Sequence, residues 1–411
     1  MKEISSMFGA LRLPRSILFG RGQREALGSV AARLGTRALL CTDERQAAQP
    51  EFAAMLADLK KHGVEAHVFD ETIPDLPLNS IEDCVSRARA IAPDIMIAVG
   101  GGSVMDMAKV VAVLLTHGGS VRDYYGEFAV PGPVIPLIAI PTTSGTGSEV
   151  TPVAVVSDEE RGAKIGIASP HLIPAIAICD PELTMTCPPG LTAISGADAL
   201  THAVEAFTTL ARARDPLLTE EHVFVGRNVL SDHMAKLAIG NLFKYLERAY
   251  RDGSDMEARD GVMLAALAAG CAFGTAGTAA AHALQYPVGN LTHTAHGLGV
   301  ATLLPYVMQF NRSACPDAFA ELADMLGLAG ETVEDRAQAF IDAVADLLAA
   351  IRIPVSLAEL GLHADQQDFV AEHALKAARL VKNNPRLLDL GGMQAITRAA
   401  FAGDRASLVT A

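Results

Sequence analysis

The sequence predicts an N-terminal α/β domain with a parallel sheet over residues 1–185, followed by an all-helical domain over 186–411. Three observations carry this two-domain fold class. Short β-branched runs alternate with helical stretches before residue 185, strand signals stop after DPELT (180–184) and CPPG, and long helical patterns fill the remainder. With 411 residues, 50% of them hydrophobic and 19% charged, the chain is long enough to bury more than one core.

In chain order, strands are expected at ALLCT ending at Thr42, at EAHVF (65–69), at DIMIAVG (94–100) and at VIPLIAI (134–140). Helical patterns over 45–62, 79–91 and 103–116 separate them. Alternation of this kind predicts a parallel sheet wrapped by helices. Beyond residue 185 the helical segments are 191–211, 217–249, 257–281, 298–311, 333–350 and 366–382, with Pro or Gly at several ends. No internal repeat or low-complexity linker interrupts them.

Composition narrows the function. A net charge of −14 argues against nucleic-acid and anionic-membrane partners, which call for clustered Lys and Arg. The N-terminal stretch lacks a basic segment followed by an apolar run and a cleavage site, so export is not expected. Cys41, Cys84, Cys179, Cys187, Cys271 and Cys315 are scattered without CxxC spacing, which fits reduced thiols in the cytoplasm. From Gly261 to Asn311 there is no Asp, Glu, Lys or Arg. Its first part is rich in Ala, Gly and Thr, too weakly apolar for a membrane span, and reads as a buried helix leading into a site.

That site is announced by spacing. Asp198 and His202 stand four apart in SGADALTHAVEAF, on one helix face. His282 and His296 flank HALQYPVGNLTHTAH. Three imidazoles and one carboxylate suit iron(II) or zinc, and the missing thiolate argues against a purely structural zinc cluster. His293, three before His296, reads either as a spare ligand and proton relay or as a polar wall.

Two Gly-rich turns carry the other half. AVGGGSVMDMAK places Gly100, Gly101, Gly102 and Ser103 between a strand and a helix, where backbone amides can cradle a diphosphate. IPTTSGTGSEVT again follows an apolar strand and offers Thr142, Thr143 and Ser148 as a polar rim. Asp43, at the end of the ALLCT strand, is suited either to a ribose, favouring NAD over NADP, or to capping the next helix.

Taken together, GGGSVMDMAK, PTTSGTGSEVTP, DPELT, GADALTHAVEAF and HALQYPVGNLTHTAHGLG resemble the successive signatures of the iron-containing (group III) alcohol dehydrogenases over residues 10 to 400. The resemblance implies a Rossmann-like NAD(P) domain and a helical metal domain, the fold shared with glycerol dehydrogenase and dehydroquinate synthase. It implies Asp198, His202, His282 and His296 as ligands of Fe2+ or Zn2+. Asp43 would then contact the ribose, Gly100, Gly101, Gly102 and Ser103 the diphosphate, and Asp106, Thr142, Thr143, Ser148 and Lys164 the rest of NAD or NADP. It further implies a small alcohol or aldehyde as substrate, and a homodimer or larger assembly with the N-terminal segment as an interface.

The sequence departs from the pattern twice. Where those enzymes usually carry a further His near the nicotinamide, four residues after His282, this chain has Tyr286, in a context similar to the hydroxyacid-oxoacid transhydrogenases. Residues 212–236 form a longer linker than usual, holding His222, Arg227 and His233, and are expected as a surface loop. Three functions follow from these readings: an NAD(P)-dependent alcohol dehydrogenase, a transhydrogenase, and a non-catalytic nucleotide-binding protein.

Overall fold

The computed structural model describes residues 7–213 and 215–408. Among the described residues nine strands form two sheets: β1 (Ser16–Phe19), β2 (Arg37–Cys41), β3 (Glu65–Phe69), β4 (Ile95–Gly100), β5 (Gly126–Glu127), β6 (Leu137–Pro141), β7 (Val153–Asp158), β8 (Ala163–Ala168) and β9 (Ile176–Cys179). The larger sheet runs β1-β9-β6-β4-β2-β3 with every pair parallel. Its strands are apolar on both faces because helices cover both. In β4, Ile95, Ile97 and Val99 point into one core and Met96 and Ala98 into the other.

All four expected strands are present, each shifted by no more than a few residues at its ends. The sequence reading missed β1, β5, β7, β8 and β9. Of these, β7 and β8 form an antiparallel hairpin, Val153 opposite Ala168 and Asp158 opposite Ala163, with β5 pairing parallel to β8. Its burial alternates residue by residue along Val153–Asp158, the period-two signature of a half-covered strand.

Helices occupy the chain beyond Pro189, and their packing corrects several expected boundaries. The 45–62 segment breaks into Glu44–Ala47 and Pro50–Lys61, because Pro50 has no N–H to continue a helix and begins a new one. The 366–382 segment breaks into Gln367–Ala374 and Ala378–Asn383, with Ala377 outside the helical region at φ −77°, ψ 58°. Two helices, Pro316–Leu326 and Leu390–Ala402, were not expected at all.

The helix expected over 257–281 spans Met256–Ala276, and a second, unexpected helix, Ala280–Thr292, follows at a bend of 102°. Gly277 makes the corner at φ +86°, a conformation that favours glycine. The first helix is almost wholly buried, as expected of a charge-free segment, and the corner aims its successor at the site. No single helix among the described residues is long and apolar enough to cross a membrane, although this bent pair passes by length and composition.

The 217–249 segment is also two helices, Leu218–Glu221 and Val229–Arg251. Between them Val223, Phe224 and Val225 are buried, so the expected surface loop is an inward strap. The N-terminal stretch fixes it: Arg12 donates to the carbonyls of Val223, Thr219 and His222, and Ala10 N–H donates to the Asn228 cap. Residues 8–12 are thus engaged within the chain itself.

Where the two halves meet, the second Gly-rich turn lies against the helix Met256–Ala276. Gly147 sits at φ +61°, and a Cβ there would come within 2.5 Å of the Gly270 Cα. Neither position admits a side chain, so backbone meets backbone and the turn is held over the helical site.

Candidate active site

Asp198, His202, His282 and His296 come together although they arrive from three helices. Asp198 and His202 lie on Pro189–Thr208, His282 in the first turn of Ala280–Thr292, and His296 begins His296–Asn311. One ligand atom from each falls within 4.8 Å of the others. Asp198 Oδ1 stands 3.8 Å from both His202 Nε2 and His296 Nε2. Asp198, His202 and His282 are buried, and His296 retains a side chain 31% exposed to the cavity.

Electrostatics prepare these groups for a cation. Burial pushes His282 well below the ordinary imidazole range and His296 down to about 3, so both are neutral at pH 7 with a lone pair free. Asp198 Oδ1 and His282 Nε2 are buried without a hydrogen-bond partner. Orphaned buried acceptors are costly unless something compensates them, and a divalent ion amid three imidazoles and a carboxylate would do so.

Glu205, absent from the sequence reading, sets the orientation. It lies one further turn along the same helix face, seven residues after Asp198. Its carboxylate accepts the His282 Nδ1–H at 2.6 Å, turning Nε2 toward the cluster. It also accepts the N–H groups of Ala279 and Ala281 at 2.8 and 2.7 Å, capping the helix that carries His282. Burial pushes its carboxyl up to about 7. Phe273 stacks on His202 at 4.1 Å between ring centroids and closes the apolar side.

The Gly-rich turns meet the cluster from the sheet side. Gly100 ends β4, Gly101 precedes the helix Gly102–His117, and no side chain caps that helix start, leaving its first amides for a ligand. A cavity of about 770 Å³ opens there, lined by Asp43, Gly101, Gly102, Ser103, Thr142 and Thr143 among others. It lies beyond the C-terminal ends of β2, β4 and β6, where the strand order reverses direction, the usual position of a nucleotide in such sheets. Of the two roles read for Asp43, the structure shows the cap, its carboxylate accepting Gln46 N–H at 2.9 Å, and the residue also lines this cavity.

Asp106 and Ser148 line the inner cavity, yet they bond chiefly to each other. Ser148 Oγ donates to Asp106 at 2.7 Å, and the other Asp106 oxygen accepts Val155 N–H at 2.9 Å. Lys109, also missed, is 1% exposed and donates to Ser148 Oγ, Thr151 O and Val153 O at 2.8, 3.0 and 2.8 Å. This buried knot fixes the turn against the helix Gly102–His117.

A second cavity, about 170 Å³, joins the halves: Ser103, Thr146 and Lys164 line it on one side and the four clustered residues on the other. Lys164 is paired with Asp75 at 2.5 Å. Tyr286 stands in the wall, its phenol held above the ordinary range chiefly by burial. Phe224 of the inward strap reaches this cavity, whereas His222, Arg227 and His233 do not line it. Arg227 instead pairs with Asp232 and stacks on Phe207. His293 is outside the cluster: it ends its helix in the left-handed region at φ 55° and is exposed.

Comparison with known proteins matches this architecture end to end. Residues 14–181 match the iron-containing alcohol dehydrogenase model, and residues 192–401 match the C-terminal model of the Fe-containing alcohol dehydrogenase family. A long-chain-alcohol dehydrogenase 1 of Geobacillus thermodenitrificans is 36% identical over 390 residues, spanning 93% of this chain and 94% of that protein. The crystal structure of a 1,3-propanediol oxidoreductase superposes with a TM-score of 0.89 at 33% identity, over 96% of this chain and all (100%) of that one. A sulfoacetaldehyde reductase from Bifidobacterium kashiwanohense, solved in complex with NAD+, superposes with a TM-score of 0.82 at 28% identity, over 96% of this chain and 99% of that one. The chain therefore belongs to the iron-containing alcohol dehydrogenase family, oxidoreductases of alcohols and aldehydes.

Proposed function

We propose that the protein interconverts a small primary alcohol and its aldehyde with NAD, using iron(II) held by Asp198, His202, His282 and His296. One observation carries this reading: the unpartnered atoms of that cluster face a cavity whose other wall is the Gly-rich nucleotide cradle. When bound, the ion supplies Lewis acidity toward the substrate oxygen and the nicotinamide supplies hydride chemistry. The chain does the positioning. Glu205 holds His282 in the tautomer that offers Nε2, Phe273 excludes water beside His202, and Lys109 fixes the turn that flanks the cofactor. Tyr286 stays protonated at neutral pH and serves as a hydrogen-bond donor rather than a base.

Asp43, Glu44, Asp70 and Glu71 at the 770 Å³ cavity, against Arg45 alone, favour NAD, since a 2′-phosphate would meet like charge. Zinc and NADP are the alternatives that the donor set allows. A cytoplasmic homodimer or larger assembly belongs to the same proposal, with six free cysteines supporting the compartment.

The test is metal analysis of freshly purified protein alongside NADH formation or consumption with a panel of alcohols, hydroxy acids and aldehydes. Stoichiometric metal and net NADH chemistry are expected; full turnover by folded protein stripped of metal would overturn the reading. Tyr286 favours a second reading, the hydroxyacid-oxoacid transhydrogenase, which predicts transfer from hydroxybutyrate to oxoglutarate without net NADH.

Glu205→Gln is expected to weaken metal affinity by roughly 10- to 100-fold, because a carboxamide has one accepting oxygen for the three N–H groups of His282, Ala279 and Ala281 that the two carboxylate oxygens now accept, and it carries no charge. Competition with a chelator measures it, and an unchanged affinity would remove Glu205 from the orienting role.

A further inference from the structure

Next to the 170 Å³ cavity lies a larger one of about 830 Å³, and the two share Val153, Lys164, Tyr286 and Arg379 as a common wall. In a chain of net charge −14, this outer cavity is basic. Arg161, Lys164, Lys376 and Arg379 line it, and Glu127 is its one carboxylate. Glu127 is already engaged, accepting Val223 N–H at 2.9 Å. Lys164 is paired with Asp75, and Arg161 stands 3.7 Å from Asp158.

Arg379 differs from these. Its guanidinium carbon lies over the Phe224 ring, 4.3 Å from the centroid, and the group makes no ion pair or hydrogen bond with another described residue. A cation over a ring face keeps its N–H donors unspent, and Arg379 lines both cavities. Tyr286 lines both cavities, and its hydroxyl likewise has no hydrogen-bond partner among the described residues. Gly102 and Ser103 of the uncapped helix start border both the 770 Å³ and the 170 Å³ cavities, whereas the 830 Å³ cavity onto which Arg379 and Tyr286 also open is lined by no residue of that start.

We propose that Arg379 and Tyr286 form an anion clamp, and that the preferred substrate is a short alcohol or aldehyde bearing an acidic group at the end remote from its reacting carbon. This rests on the dehydrogenase reading and names its substrate class. The basic outer cavity draws the anion in, the guanidinium edge takes two of its oxygens, and the reacting end reaches past Tyr286 to the histidine cluster. The balanced reaction is unchanged: aldehyde, NADH and a proton give alcohol and NAD+. Phe224 packed against the guanidinium restrains it and lowers the entropy lost on binding.

The experiment uses the metal-loaded protein with three aldehydes: 4-oxobutanoate, 3-oxopropane-1-sulfonate and the neutral isostere 4-methylpentanal. The wild type is expected to prefer at least one anion over the isostere by tenfold or more in kcat/KM, a preference that weakens with added salt. Arg379→Met should lower the anion-to-neutral ratio by roughly 100-fold, and Arg379→Lys should recover part of it. Binding of succinate to the metal-free protein by calorimetry should weaken in parallel, which separates the clamp from the chemistry. The two anions decide between carboxylate and sulfonate. Turnover of 4-methylpentanal with equal or better efficiency, and a ratio that Arg379→Met leaves unmoved, would overturn the clamp while the dehydrogenase stands. No turnover of any aldehyde by the metal-loaded wild type, with succinate still bound through Arg379, would instead sink the dehydrogenase reading.

Discussion

His282→Ala is expected to lower kcat/KM by roughly 10³-fold or more and to leave purified protein with little bound metal. The substitution removes one donor of four and, at the same time, the proton that Glu205 accepts at 2.6 Å. Glu205 would then keep only the backbone N–H groups of Ala279 and Ala281, so the helix stays capped and the fold is expected to survive. NADH binding should persist, because the Gly-rich cradle lies on the other side of the cavity. Thermal unfolding adds an independent readout. Metal stabilises whichever state binds it, so a chelator should lower the Tm of the wild type and hardly move that of the variant. Normal turnover from a folded, metal-free variant would refute the assignment.

Lys109→Met is expected to cost about 3 kcal/mol of stability, because it breaks a buried polar knot from one side. Methionine matches the stem of lysine but donates nothing. The carbonyls of Thr151 and Val153 and the Ser148 hydroxyl would lose their common donor, and Asp106 its neighbouring cation. The damage is directed at the site, since the turn holding Thr146 and Ser148 also lines the cavity. Urea unfolding measures the first effect and KM for NADH the second. A pH series sharpens the test. Burial lowers Lys109 to about 8 from the ordinary 10.5. Between these values the unfolded chain binds more protons than the folded one, so this group makes stability rise with pH across that window. The methionine variant should lack that increment. A variant as stable as the wild type, with the same slope, would show that the knot is dispensable.

Much of the site was legible because it follows from local periodicity. Asp198 and His202 share a helix face by their four-residue spacing, and the same reasoning carried one turn further reaches Glu205. The Gly-rich turns were legible because they sit between a strand and a helix. The hairpin β7–β8 is not legible, because Val153–Val156 is apolar on both faces and Asp158 falls on the buried one, so the alternation in burial has no counterpart in the sequence. Long helical patterns misled where a glycine corner, as at Gly277, or a buried strap, as at Val223–Val225, interrupts apolar sequence without changing its composition.

By itself, then, the sequence determined the two fold classes along the chain, the pair Asp198 and His202 on one helix face and the two Gly-rich turns, since each is written in spacing within a single element or turn. Only the tertiary structure decided what surrounds them. Phe224 and Arg379 are 155 residues apart, and no periodicity relates a strap between two helices to the start of a short helix near the C-terminus. Their meeting depends on the 102° bend at Gly277, the anchoring of the strap by Arg12 and the helical packing that brings the Ala378–Asn383 segment over the cavity. Long-range contacts of this kind come from burying whole faces against one another, which a local pattern specifies only in sum.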